Sequence, residues 1–508
     1  MKLKQILSML LVLILITTID RKTFGQDTIS LTLEQAISVT YKHNPVLKEM
    51  KYLKQEKEMM KKAAYGLHLP NISLTANYMV MSKDLELDLN PVKDAITPLY
   101  EVLGTYGSFS GVPNPDPSTF GNMPVLPDNI STQVVRQQLL SGLNDINSAE
   151  WVKTIQKKQF GTVSANMIWP IFTGGKISAA NKAAQIEVEE SNYISKQKES
   201  EILSELVERY YGLHLAGKVI DIRKDVYDVM EKHLHEAQRM YEEGIIAKSQ
   251  LLHAKLYHAE ALRNLKKSQR DYSVVEKALQ NTLSDKNNSS IIPMSKLFYL
   301  KEIEPLDYYT KKAENLNPLL NRVRSKEQLA HQGVKVRHSN YLPTAAITGI
   351  YDLYNEDLSP YIPDWTIGLN LQWTLFDGIA RTHKTNAARF KEKQVTEIKN
   401  KAEDNIKTVI TKLYQKINMD IEQMEQLSTA NSFAKEYFDV TEKSFREGMA
   451  TSTEVTDANL ALAKVKIEQL QVMYDYVTTL SKLLEFTGNS EDFINYQHRE
   501  NTIFESDK

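Results

Sequence analysis

The 508-residue sequence contains no cysteine. That absence excludes disulfides, thiolate metal sites, cysteine nucleophiles and a membrane anchor on an acylated cysteine. Neither sign of charge predominates: the formal net charge is −2, so no global basic field invites nucleic acid. Long apolar runs are missing too. Residues 6–16 (ILSMLLVLILI) form a run too short for a bilayer core that needs ~20 residues. With Lys2 and Lys4 before it and small Thr23 and Gly25 after it, residues 1–25 are expected to be an export signal, with a mature start near Gln26. The exported chain is then either soluble outside the cytoplasm or crosses a membrane as β-strands. Histidines do not cluster with ligand spacing: His233 and His235 fall on different helix faces, and His253 and His258 are poorly matched. No enzyme, metal or cofactor is expected.

Helix breakers are scarce over two long stretches. Residues 176–243 carry Gly212 and Gly217 but no proline, and 379–447 carry neither. Each stretch predicts a helix ~100 Å long. Shorter helices are expected at 249–284 and 451–487. The second of these holds a 3-4 seam of Val455, Ala458, Leu462, Val465, Gln469, Val472, Tyr476, Thr479, Leu483 and Phe486, which is coiled-coil spacing. Gly244 and Gly448 centre the turns between long and short helices, giving two antiparallel helical hairpins.

The chain is written twice. NPVL at 44–47 returns as NPLL at 317–320, and Leu69-Pro70 returns as Leu342-Pro343 at the same offset. WPIFTGGKISAANKAA from Trp169 matches WTLFDGIARTHKTNAA from Trp373, and YEEGIIAKSQLLHA (241–254) lies over FREGMATSTEVTDA (445–458) at a second offset. The repeats are expected at 26–284 and 304–487, with a linker at 285–303 and a C-terminal tail at 488–508 to which no role is assigned. The unequal offsets place an insertion at 83–155. Seven of the sixteen prolines (Pro91, Pro98, Pro113, Pro115, Pro117, Pro124 and Pro127) fall there, and it reads as a long surface loop. Asn44 before Pro45 and Asn317 before Pro318 should each mark a joint in the helices that precede the strands.

The stretch IWPIFTGGK (168–176) superficially suggests a phosphate-binding loop. That loop needs glycine at 170 and Ser or Thr at 177, where Pro170 and Ile177 stand. The second copy keeps only Gly378, so a strand-to-helix corner accounts for both.

Four segments alternate with period two. In 365–375, Trp365, Ile367, Leu369, Leu371, Trp373 and Leu375 share a face against Thr366, Gly368, Asn370, Gln372 and Thr374. Residues 69–80, 163–171 and 342–351 behave alike. Four such strands leave two open edges, which lipid does not tolerate. Two chains would supply eight strands and three would supply twelve; single-chain membrane barrels start at eight. Trp169, Phe172, Trp373 and Phe376 fall at one end of the strands, and Tyr78, Tyr351, Phe160 and Trp365 nearer the other, as interfacial girdles would.

Together with the glycine-centred turns, the doubled W-x-x-F-[TD]-G (169–174 and 373–378) and [YF]-x-E-G (241–244 and 445–448) motifs resemble those of the TolC-like outer-membrane efflux ducts. The resemblance covers nearly all the mature chain. It implies an α+β membrane protein: a long α-helical coiled-coil barrel continuous with a transmembrane β-barrel, four strands per chain, duplicated halves, assembled as a homotrimer in the outer membrane and extending into the periplasm. It implies passive conduction of efflux substrates, with a periplasmic adaptor protein and an inner-membrane transporter as partners. A duct for type I protein secretion is the alternative job, and a secreted coiled-coil scaffold the alternative fold. The family's constriction maps to Glu454 and Asp457, with uncharged Gln250 in the first copy; adaptor docking maps to Gly244, Ile245, Gly448 and Met449. Where a relative latches its tip with tyrosine and arginine, this chain has Phe445 and Ala450, so that latch is not carried over.

Overall fold

In the computed structural model, the described residues are 28–116, 118–285 and 289–506; the expected export signal lies outside them. The chain divides into two compact units. One comprises residues 65–177 and 339–377, and the other the remaining described residues.

The second unit is built on helical hairpins. Helix α5 (Lys176–Glu242) and helix α9 (Ala380–Arg446) each contain 67 residues, and α6 (Lys248–Leu283) and α10 (Ser452–Thr487) each contain 36. Scarce breakers therefore give continuous helices, with boundaries within about one residue of those expected. Four shorter helices precede the strands: α1 (Leu33–His43) and α2 (Pro45–Gly66) in the first half, α7 (Leu306–Leu316) and α8 (Pro318–Ser339) in the second. Asn44-Pro45 and Asn317-Pro318 each separate two helices, and both asparagines work alike. Asn44 Oδ1 accepts from Val46 N–H at 2.9 Å while Nδ2 donates to the Thr282 carbonyl. Asn317 Oδ1 accepts from Leu320 N–H at 2.9 Å while Nδ2 donates to the Phe486 carbonyl. The duplication thus extends to individual hydrogen bonds.

The main core lies around the middle of the long helices. Leu203, Leu206, Val207, Tyr210, Tyr211 and Leu213 of α5 meet Ile406, Ile410, Ile417 and Met424 of α9 and Tyr476, Leu480 and Leu483 of α10. The expected seam on α10 is broader than a coiled-coil stripe, because Met473, Val477 and Leu484 are buried as well. Two segments read as a linker and a tail supply the extra cover. The expected linker 285–303 carries strands β6 (Ser290–Pro293) and β7 (Phe298–Leu300), and Leu297, Phe298 and Leu300 are fully buried. The expected tail 488–508 folds back through helix α11 (Phe493–Gln497) and strand β10 (Thr502–Phe504), which pairs antiparallel with β7. Strand β1 (Thr28–Leu31), also unanticipated, pairs parallel with β6. Tyr210 clasps that junction: its hydroxyl donates to the Leu31 carbonyl and accepts from Met294 and Ser295 N–H. Glu304 ties the returning segment down, accepting from Tyr309, Tyr496 and Arg499 at 2.6–2.7 Å. His214 pairs at 2.6 Å with buried Glu505.

The first unit holds a four-stranded antiparallel sheet. Its strands are β2 (Asn71–Val80), β5 (Gln159–Phe172), β8 (Thr344–Glu356) and β9 (Trp365–Gln372), in that spatial order. Register joins like to like. Leu74 pairs with Ala165, Ala165 with Tyr351 and Tyr351 with Trp365, while Thr75 pairs with Ser164 and Ser164 with Asp352. A bulge between Val163 and Ser164 absorbs one extra residue of β8 without flipping the faces. Pro170 is tolerated within β5 because pairing with β2 stops at Ile168.

The 83–155 insertion is not the irregular loop expected from its prolines. It contains β3 (Leu85–Asp88) paired with β4 (Val152–Gln156), and helices α3 (Asn90–Tyr106) and α4 (Asp128–Ser148) packed together. Pro91 sits in the first turn of α3, where a missing N–H costs nothing, and Pro127 occupies the N-cap of α4. These two prolines begin helices instead of preventing them, whereas Pro98 lies inside α3 and Pro113, Pro115 and Pro124 fall in the irregular stretch between the helices.

Candidate functional site

The two hairpin turns are chemically alike. Gly244 has φ +73° and Gly448 φ +75°. In the first, Gly244 N–H donates to the Tyr241 carbonyl and Ile245 N–H to that of Met240; in the second, Gly448 donates to Phe445 and Met449 to Ser444. This pair of bonds closes a helix around a left-handed residue, a conformation that penalises any side chain. Ile245 and Met449 therefore project as exposed apolar groups, 59% and 71% accessible.

The helices restart differently. Thr451 caps α10: its Oγ1 accepts from Glu454 N–H at 3.3 Å, and Glu454 Oε2 accepts from Thr451 N–H at 2.6 Å. This reciprocal capping box holds the Glu454 carboxyl below the usual carboxylate range, through the bonds from the Thr451 backbone and side chain. Ala247 stands at the equivalent cap of α6 and offers no side-chain oxygen. Half-buried Gln250 occupies the position of Glu454. Glu454 and Asp457 are both exposed, one turn apart on α10.

Phe445, at the position where a relative has a latching tyrosine, is buried rather than exposed. Its ring packs 4.7 Å from that of His233 on α5, and His233 Nε2 lies 2.6 Å from Ser452 Oγ. Both His233 and Ser452 are buried. Burial, helped by the nearby His253 ring, pushes the His233 pKa down to about 4, so the ring is neutral near pH 7. The two hairpins are thus tied together within one chain, close to their turns. Spacing alone leaves His233 a surface histidine; its place on the inner face of α5 marks it only once Ser452 is known to lie opposite.

In the other unit, the apolar face of the sheet is uncovered. Ile72, Leu74, Ile367, Leu369 and Leu371 are 68–72% accessible. Strands β2 and β9 end the sheet and pair with no further strand among the described residues. Trp169 Nε1 donates to the His68 carbonyl and Trp373 Nε1 to the Tyr341 carbonyl, a second repeated bond. Phe172 and Phe376 are exposed nearby along the chain. Tyr351 lies opposite Trp365, whereas Tyr78 lies opposite Gly161 and Phe160 opposite Met79. Gly174, with φ +61°, needs its missing side chain, since a Cβ would fall 2.6 Å from the Ser339 carbonyl oxygen. No group of three or more metal-ligating side chains occurs among the described residues.

Residues 144–284 and 310–489 match the family described as outer membrane efflux protein. The chain is 22% identical over 263 residues to outer membrane protein TolC of Vibrio cholerae, covering 50% of this chain and 56% of that protein. It thus spans little more than half the length of that curated relative. In three dimensions it is similar to the outer membrane protein VceC of Vibrio cholerae, with TM-score 0.66 and 14% identity over 90% of this chain and 96% of that one. The Campylobacter jejuni CmeC outer membrane channel gives TM-score 0.66 and 13% identity, over 90% and 86% of the two chains. At these identities the likeness concerns the fold alone.

Proposed function

As this chain belongs to the outer membrane efflux protein family, we propose that it is the outer-membrane exit duct of a tripartite efflux system, conducting substrates passively. Three chains complete a twelve-stranded barrel, and their hairpins form the helical wall of the duct. The observation that carries this is the uncovered sheet: one apolar face, one polar face and two open edges. An apolar face of this extent cannot remain in water, and open edges cannot remain in lipid. Sister chains close the edges, lipid covers the outer face, and the Thr, Ser and Asn side chains line a wet lumen. Residues 26–284 and 304–487 act as structural repeats, and Trp169, Phe172, Trp365, Trp373, Phe376, Tyr78 and Tyr351 as interfacial anchors.

A periplasmic adaptor protein docks at the turns around Gly244, Ile245, Gly448 and Met449, and the adaptor brings an inner-membrane transporter. Glu454 and Asp457 from each chain form carboxylate rings at the constriction, favouring cations. Opening separates the hairpins and breaks the His233–Ser452 contact. Membrane extraction followed by sizing in detergent is the primary test. A trimer obtained only with detergent is expected; a stable water-soluble monomer would instead favour a secreted helical scaffold. Glu454→Gln with Asp457→Asn separates charge from capping, because glutamine can still complete the box. Single-channel recordings of this variant are expected to show weakened cation preference, and unchanged selectivity would remove the constriction assignment.

A further inference from the structure

Helix α3 has an apolar face that no other described residue of its chain covers. Val92, Ala95, Leu99, Val102 and Tyr106 recur at alternating steps of three and four, and all are exposed, Val92 at 50% and Tyr106 at 77%. That is coiled-coil spacing over two heptads, without a charged residue in it, on a helix that carries Pro98 beside Leu99. The rest of the helix is already occupied. Ile96, Tyr100 and Leu103 are half-buried. Gly104 and Gly142 allow α3 and α4 to approach closely, since an added Cβ at either would come within 3.1 Å of Leu140 or Tyr100. The seam is therefore surplus to the stability of the helix pair.

The base of the insertion is fixed to its own sheet. Gln156 Nε2 donates to the Asp357 carbonyl and its Oε1 accepts from Ser359 N–H, both from the loop between β8 and β9. Lys157 pairs with Asp357, and Lys158 N–H donates to Asp84 Oδ1 at 2.6 Å. The insertion leaves β2 after Val80 and rejoins β5 at Gln159, the strand ends away from the Trp169 and Phe172 corner. Strands β2 and β9 are the open edges of the sheet, so in a closed ring β2 of each chain meets β9 of the next, and the insertion recurs once per chain around the axis. A cyclic axis then presents identical seams to one another.

We propose that the α3 seams of three sister chains pack together as a short parallel helical cap over the outer mouth of the duct. The partner is a second and third copy of this chain, and the proposal presupposes the three-chain duct described above. Because the natural sequence has no cysteine, Val102→Cys introduces a unique thiol. In detergent-purified trimers, a short bismaleimide is expected to join Val102→Cys chains into covalent pairs, at most about two chains in three, since the third thiol lacks a mate. Glu101→Cys, exposed beside the seam, is expected to couple far less. Leu99→Asp with Val102→Asp is expected to raise single-channel conductance while leaving the trimer intact. Intact trimers in which the Val102→Cys variant couples no better than the Glu101→Cys variant, or couples to a different protein, would overturn the cap but not the duct. Failure to trimerise would overturn the duct, and the cap with it.

Discussion

His233 and Glu304 are both held by geometry in protonation states that acid disturbs. His233 has a folded pKa of about 4 against an ordinary value near 6.5. The unfolded chain therefore takes up a proton that the folded chain refuses, and stability falls as pH drops from about 6.5 to about 4. The full shift corresponds to about 3 kcal/mol. Thermal unfolding of the detergent-solubilised protein is expected to show this loss; His233→Leu should flatten that window, and an unchanged pH profile would refute the assignment. For Glu304, burial raises the carboxyl pKa, but bonds from Arg499, Tyr496 and Tyr309 outweigh it and bring it down to about 2. Its contribution is full above the unfolded pKa of about 4.5 and is lost as pH falls toward 2. The two windows are adjacent, so Glu304→Gln should alter the lower one only. Neither residue can be singled out from sequence. The partners of His233 lie on the other hairpin, and those of Glu304 lie largely in the segment that reads as a tail.

The helical turns are legible because glycine with positive φ, flanked by long breaker-free stretches, leaves little choice of structure. Gly448→Val would force a β-branched side chain into φ +75°, costing roughly 1–2 kcal/mol. On the proposed reading of this turn as an adaptor site, adaptor binding is expected to weaken while membrane insertion is retained; lost insertion with retained binding would show the turn to be misassigned. Gly488 is more demanding. It has φ +77°, and a Cβ would fall 2.4 Å from the Leu316 carbonyl oxygen. Gly488→Ala should therefore destabilise more than Gly448→Ala, as judged by unfolding temperature. Strand alternation is equally legible, since β-register preserves both faces. The insertion is not. Pro91 and Pro127 read as breakers, although their positions at helix starts make them initiators. Strands β1, β6, β7 and β10 are too short to show a period and acquire their identity from partners far along the chain.

At the scale of the molecule, duplication accounts for much of what can be read in advance: paired motifs fix paired hairpins, strands and Asn-Pro joints. The halves differ where one carries the insertion and where only the second has a capped restart at Thr451. The C-terminal segment belongs to neither repeat, yet Phe493 and Tyr496 enter the main core. A chain ending at Gly488 is expected to lose thermal stability and to accumulate less in the membrane, whereas a dispensable appendage would leave both unchanged.

The open edges at β2 and β9 have a genetic consequence. On the three-chain reading, no subunit can mature alone, so every finished duct samples the cellular pool three times. Were half of that pool defective yet still competent to join, only about one duct in eight would contain wild-type copies throughout. Damaged alleles of this gene should therefore act dominantly, interfering with the product of an intact one instead of being rescued by it.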